Sequence, residues 1–276
     1  MEITTQTFLM LLALAFACEF IDSAAGMGYG TILTPLLIAM GFAPHAAVPA
    51  VLISQAFGGF AAAVFHHRFE NVSFARDSRD LKVVLVISTL GIAATIAGAL
   101  VSVNLPAAAL RIYIGVLVTI MGIVVLLKRP AAFAWKKIVG LSLLSAFNKG
   151  ISGGGFGPVV TGGQIIAGER RRAAVGITTL AEAPICVCAF AAYILGRTAK
   201  ELQGRALDMP VGDFFQTMFS PGMLPWELML ALIAGATLVA PFGAFTARAL
   251  KHEGAHGVIG GLMLLEGGYT LASLLR

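Results

Sequence analysis

Charge is scarce in this chain. Of its 276 residues only 12% are charged, while 58% are hydrophobic. A soluble domain of this size needs far more polar surface to cover its core. Cysteine is scarce too, and Cys18, Cys186 and Cys188 all sit inside apolar runs. On a helix the 186 and 188 side chains project about 200° apart, a poor arrangement for chelation, so all three read as small core-filling residues. His45, His66, His67, His252 and His256 fall at the ends of apolar runs. They form no metal-ligand set, and an interfacial position is expected for them. No Walker sequence is present, which argues against ATP hydrolysis by the chain. No basic stretch is interleaved with exposed aromatics, so nucleic acid is not an expected partner. No metal or cofactor is expected. The first residues carry Glu2 and no Lys or Arg, so the first apolar run is expected to remain rather than be cleaved as a leader.

What the chain has in abundance is long apolar runs. Stretches of about 20 residues, nearly free of charge, occur at 46–65, 83–103, 173–195, 228–247 and 257–275. A further run at 107–127 is interrupted by Arg111. Each can cross a hydrocarbon core of about 30 Å as a helix. The expectation is an all-α polytopic protein, integral to the cell (inner) membrane and in contact with the lipid bilayer.

The sequence also repeats itself. Shifted by 127 residues, positions 20–48 overlay 147–175 without a gap. Phe20, Gly26, Gly28, Gly30, Thr34, Ile38, Gly41, Ala46, Ala47 and Val48 then meet identical residues, the glycines pairing with Gly153, Gly155, Gly157 and Gly168. A second block, Gly98 to Gly122, aligns with Gly243 to Gly267 at a shift of 145. The extra 18 residues place an insertion in the polar stretch 197–226, expected as the one sizeable aqueous segment. The predicted organisation is a first transmembrane repeat at 1–127, a cytoplasmic linker at 128–137 and a second repeat at 138–276. Each repeat has a glycine-interrupted apolar segment followed by three full spans.

An interrupted segment can cross once or fold back as a hairpin, and Lys/Arg placement discriminates. With hairpins, the loops 66–82, 127–138, 168–172 and 248–256 lie on one side. They carry Arg68, Arg76, Arg79, Lys82, Lys128, Arg129, Lys136, Lys137, Arg170, Arg171, Arg172, Arg248 and Lys251. Outside the long loop, only Arg111 and Arg276 lie on the other side. The hairpin is therefore the preferred reading. It turns the two repeats upside down relative to each other, a plan common among secondary transporters.

The breaks read Asp22-Ser-Ala-Ala-Gly26-Met-Gly28-Tyr-Gly30-Thr31 and Asn148-Lys149-Gly-Ile-Ser152-Gly153-Gly-Gly155-Phe-Gly157-Pro158. Glycines at a spacing of two loosen a helix and free its backbone groups. In a bilayer such groups persist only where protein or a water-filled cavity satisfies them. A short apolar helix follows each break, and its N-terminus suits an anion. Asp22 and Lys149 are equivalent under the 127 shift, as are Gln55 and Glu182. Buried charge in a membrane points to function. Lys149 is read as the anion ligand, with Asn148, Gly28, Gly30, Thr31, Ser152, Gly155, Gly157, Gln55 and Gln164 as further substrate-binding candidates. Asp22, Glu182 and Glu19 are read as proton-coupling or counter-charge groups. The competing reading makes Asp22 and Lys149 a structural ion pair and Glu182 a helix–helix hydrogen-bonding group. Glu266 is a weaker candidate.

At Phe20-Ile-Asp-Ser-Ala-Ala-Gly-Met-Gly-Tyr-Gly-Thr-Ile-Leu-Thr-Pro35-Leu-Leu, its echo at 147–164 and Gly41-x-x-Pro-x-x-Ala-Ala47, the chain resembles the sulfite exporter TauE/SafE family of membrane permeases. The resemblance implies transport, chiefly export, of sulfite, sulfonates or related small organic anions, coupled to an ion gradient, here taken as protons. A homodimer is carried as a candidate assembly. Met27 and Tyr29 interrupt the family's glycine run, and Gly162 stands where the first copy has Pro35. The enzyme alternative is a rhomboid-like intramembrane serine protease using Ser152 in Gly150-Ile-Ser152-Gly153 with His256. Against it, the first copy has Ala25 at the Ser152 position. A non-transporting assembly subunit is the third class.

Overall fold

The computed structural model describes residues 3–26, 28–127, 135–166, 169–202, 210–249, 261, 264–265 and 268–272. Among them the chain is helical, in the order α1 (Thr5–Ala25), α2 (Tyr29–Ala39), α3 (Pro44–Arg68), α4 (Arg79–Asn104), α5 (Ala107–Leu127), α6 (Trp135–Ser152), α7 (Gly157–Ile166), α8 (Arg171–Glu201), α9 (Val211–Met218) and α10 (Trp226–Ala249). Local chemistry sets several boundaries. Thr4 caps α1 by accepting from Thr7 N at 3.2 Å, and Ser78 caps α4 by accepting from Leu81 N at 3.2 Å; both leave fewer amides unpaired at a helix start. Pro44 opens α3, where its missing N–H costs nothing.

The helices α1, α3, α4, α8 and α10 are long and apolar enough to cross a membrane. Phe57, Phe60 and Val64 on α3, Leu85 and Val86 on α4, and Leu238, Phe242 and Phe245 on α10 stay exposed. So much exposed apolar surface is tolerable only against lipid. The chain is an integral, multi-pass membrane protein.

Close contacts give the helix directions. On α10, Gly235 faces Leu12 and Ala15 of α1, and Gly243 faces Ser23, so the two helices run parallel. On α3, Gly58 abuts Ala236, while Asn71, just beyond its end, donates to Ala244 O at 2.7 Å, so α3 runs the same way. In a second group, Gly91 of α4 abuts Ala146 of α6, and Ser102 donates to Ile151 O at 3.0 Å. Ser88 of α4 donates to Ala181 O of α8 at 3.1 Å, and Lys200 donates to Val103 O at 3.0 Å. Thus α4, α6 and α8 are mutually parallel. The two trios meet along α3 and α8, where His45 bonds Tyr193, Gly59 abuts Ala183, and Gly176 abuts His66. That order is antiparallel. Because α1 and α3 run together, α2 returns between them, and α7 returns between α6 and α8.

The structure adds detail to two expectations. His66, in the last turn of α3, is fully buried within the protein. The segment after α3 folds over the helix end, so that His66 Nδ1 lies 3.1 Å from Asn71 Nδ2 and its Nε2 lies 3.3 Å from Ser23 Oγ. The 197–226 insertion is not simply a loop. Helix α8 continues through Glu201, its end tied down by Arg197 and Lys200, and α9 lies further along. His252, His256 and Glu266 lie outside the described residues.

Candidate functional site

Two of the joints between helices, α1 to α2 and α6 to α7, are built on glycine. Gly26 and Gly28 hold φ values of 77° and 128°, and Gly153 and Gly155 hold 75° and 83°. These are left-handed conformations that side chains with a Cβ resist. The two interruptions touch. A Cβ on Gly30 would lie 1.7 Å from Gly153 O, and one on Gly154 would lie 2.8 Å from Gly30 O. Thr161 Oγ1 donates to Gly26 O at 2.8 Å, satisfying a carbonyl at the end of α1. Gly155 N donates to Thr31 Oγ1 at 3.0 Å, and Gly154 N donates to Ser152 Oγ at 3.1 Å. At 1.5 Å per residue, α2 and α7 extend about 16 and 15 Å, roughly half of a 30 Å hydrocarbon core.

Around this junction the buried charges collect. Lys149, on the last turns of α6, is 1% exposed, Glu182 on α8 is 3% exposed and Glu19 on α1 is 0% exposed. Lys149 Nζ pairs with Glu182 Oε1 at 2.8 Å and also donates to Gln55 Oε1. Gln55 Nε2 donates to Asp22 Oδ2 at 3.4 Å, and Tyr29 N donates to Asp22 Oδ1 at 3.4 Å. Four residues from four helices thus form one hydrogen-bonded chain, Glu182–Lys149–Gln55–Asp22. The Lys149 ammonium also lies beside the first turn of α2, since a Cβ on Gly30 would be 3.0 Å from Nζ. The Asp22 carboxylate already occupies the α2 N-terminus, where the helix dipole favours negative charge. Glu19 lies close by, its Cδ 3.1 Å from a Cβ placed on Gly58, and neither of its oxygens has a hydrogen-bond partner.

The sequence-selected residues do not all converge. Lys149 takes Glu182 as its ion-pair partner among the described residues, while Asp22 reaches it through Gln55. Gln164 turns away to Val160 O and Thr178 Oγ1, at 3.3 and 2.8 Å. Asn148 Oδ1 accepts from Tyr113 OH. Ser152 Oγ donates to Asn148 O at 2.8 Å and serves as a turn cap rather than an activated nucleophile. Gly157 begins α7. Sequence reasoning passed over Tyr29, whose hydroxyl bonds Ser54 Oγ at 2.6 Å. It passed over Thr161 as a functional residue as well. The signal was present, since Thr34 and Thr161 stand among the identities between the two segments.

Comparison with known proteins points to a membrane transporter. The chain is 24% identical over 267 residues to "Probable membrane transporter protein YtnM" of Bacillus subtilis (strain 168), covering 92% of this chain and 79% of that one. No solved structure matches. The family model described as "Sulfite exporter TauE/SafE" matches residues 11–270, and the chain belongs to that family of membrane transporters, not to a family of enzymes.

Proposed function

We propose that the chain is a secondary transporter that exports a small anion, sulfite or a sulfonate, bound where the two glycine-broken helices meet. The observation that carries this reading is Lys149, an ammonium buried to 1% exposure beside the first turn of α2 and held by Glu182 and Gln55. Thr31, Gly28, Gly30 and Gly155 supply the surrounding backbone, and Gln55 of α3 reaches the ammonium. The substrate class and the direction come from the family description.

Coupling follows from charge. Glu19, Asp22 and Glu182 face a single ammonium, so an arriving anion adds to a negative excess in a medium that penalises it. A proton taken up by one of the carboxyls offsets the added charge, and Glu19, with no partner for either oxygen, is the best placed carrier.

The reading includes two inverted repeats, 1–127 and 138–276, each a helical hairpin followed by three spans. The opposite directions of the α1–α3–α10 and α6–α4–α8 trios support it. So do Gly26 against Thr161 and Gly153 against Thr34, two contacts related by the 127 shift. Arg79 and Glu169 pair at 3.3 Å, consistent with both Lys/Arg-rich loops lying at one end, the cytoplasmic one.

Purified protein in sealed proteoliposomes provides the test. Lys149→Ala is expected to reduce sulfite and ethanesulfonate flux at least tenfold. Wild-type flux and affinity in a folded Lys149→Ala protein would remove Lys149 from the site, and absence of flux in the wild type would favour a non-transporting subunit.

A further inference from the structure

A second basic centre lies at the end of the bundle where α3 begins and α8 ends. A cavity of about 290 Å³ opens there, lined by His45, Val103, Arg197, Lys200 and Glu201. That is close to the lower limit of small-molecule pockets, roughly 300 Å³, and suits a small solute with its water.

The cations of this cavity are held by carbonyls. Arg197 Nη1 donates to His45 O and to Met223 O, and Nη2 donates to Gly222 O, each at 3.2 Å. Lys200 Nζ donates to Val103 O at 3.0 Å. A carbonyl fixes a cation in place without cancelling its charge. Among the described residues neither side chain has a carboxylate within ion-pairing distance. Arg197 and Lys200 against Glu201 leave the lining at +1 with His45 neutral. A guanidinium has five N–H donors and an ammonium three, so both retain donors for a ligand.

The cavity is also linked to the interior. His45 Nδ1 lies 2.7 Å from Tyr193 OH. Ser102 lies next along this line, and its Oγ donates to Ile151 O at 3.0 Å. Ile151 sits two residues before Gly153, at the second break. A polar path thus runs from the cavity to the junction of the broken helices.

We propose that this cavity binds a small oxyanion and stands in series with the buried Lys149 site. The chemistry recognised is a sulfite-, sulfonate- or phosphate-type group held by Arg197 and Lys200. Two sources share that chemistry, a free solute and the phosphate of a lipid headgroup.

The full-length protein in detergent is titrated with radiolabelled sulfite by equilibrium dialysis and, separately, with a short-chain phosphatidylglycerol. Arg197→Gln with Lys200→Gln is expected to weaken one sulfite site roughly tenfold or more, as loss of charge-assisted hydrogen bonds does. Lys149→Ala is expected to keep that site at wild-type affinity, which separates this proposal from the transport site above. Because Arg197 anchors three carbonyls, its loss could disturb the helix end. Glu201→Gln leaves those bonds in place and is expected to tighten sulfite severalfold. If only phosphatidylglycerol responds to these variants, the oxyanion is a headgroup and the site stands. If neither ligand responds to Glu201→Gln, the cavity is not an anion site.

Discussion

Gly30→Ala tests whether the two helix breaks must touch. The new Cβ would fall 1.7 Å from Gly153 O. Carbon and carbonyl oxygen approach no closer than about 3.3 Å even in favourable C–H···O contacts, so the start of α2 and the end of α6 would have to part by about 1.5 Å. The obstacle is backbone, which cannot swing aside as a side chain can. Extra methylenes in a packed core cost roughly 1–3 kcal/mol, and backbone on both sides places this case at the upper end. Alanine returns about 1 kcal/mol of helix propensity, leaving a net loss of about 2 kcal/mol. Displacement of that size also moves the α2 N-terminus away from Lys149, so sulfite flux should fall more than stability does. Gly162→Ala in α7 is the matched control. A Cβ there meets nothing within 4 Å, and the variant should be neutral or up to about 1 kcal/mol more stable. Thermal unfolding in detergent and flux in proteoliposomes read the two effects. Identical melting and flux for Gly30→Ala and Gly162→Ala would refute the close apposition of the breaks.

Other perturbations follow from the same geometry. Lys149→Met should destabilise by roughly 3–5 kcal/mol, because it removes the ammonium shared by the buried carboxyls, while Glu182→Leu should cost less and, added to Lys149→Met, should recover part of the loss; additive losses in the cycle would show that the 2.8 Å pair is not coupled. Thr161→Val removes the hydroxyl that satisfies Gly26 O and should cost about 1–3 kcal/mol. Thr34→Val should cost little, since Thr34 Oγ1 has no partner; equal losses for the two would contradict the hydrogen-bond assignment. Glu19→Gln should leave sulfite exchange between two equilibrated compartments intact but abolish uphill flux driven by a proton gradient, and wild-type concentrative flux would remove Glu19 from coupling.

The spans were legible because hydropathy alone decides them: 46–65, 83–103, 173–195 and 228–247 all lie within α3, α4, α8 and α10. The residues of the central cluster could be found because intramembrane charge is rare, and each of Asp22, Lys149 and Glu182 stands out from its apolar run. Their pairing could not. Whether Lys149 meets Asp22 or Glu182 depends on which helix faces lie inward, and with nearly all neighbours apolar the sequence carries little amphipathic signal to fix that rotation. Gln164 shows the same limit, since it lies on the right helix but turns to Thr178. The burial of His66 escaped notice because it depends on Asn71 reaching Ala244 on a helix far along the chain. The length of α8 was hidden by polarity, since Arg197 and Lys200 look like loop residues until carbonyls appear opposite them.

The packing of α1 against a helix far along the chain bears on how the protein is made. Helix α1 packs chiefly against α10, and α6 packs chiefly against α4. About 200 residues separate the end of α1 from the start of α10, a delay on the order of 10–40 s at 5–20 residues per second of translation. Until then the face of the nascent α1 that meets α10, with Ala15 and Ser23 on it, must rest against lipid or an insertion machinery. A polypeptide truncated before Trp226 lacks the chief partner of that helix and should be degraded rather than accumulate, whereas residues 1–127 and 138–276 produced as separate chains in one cell should find each other in the bilayer.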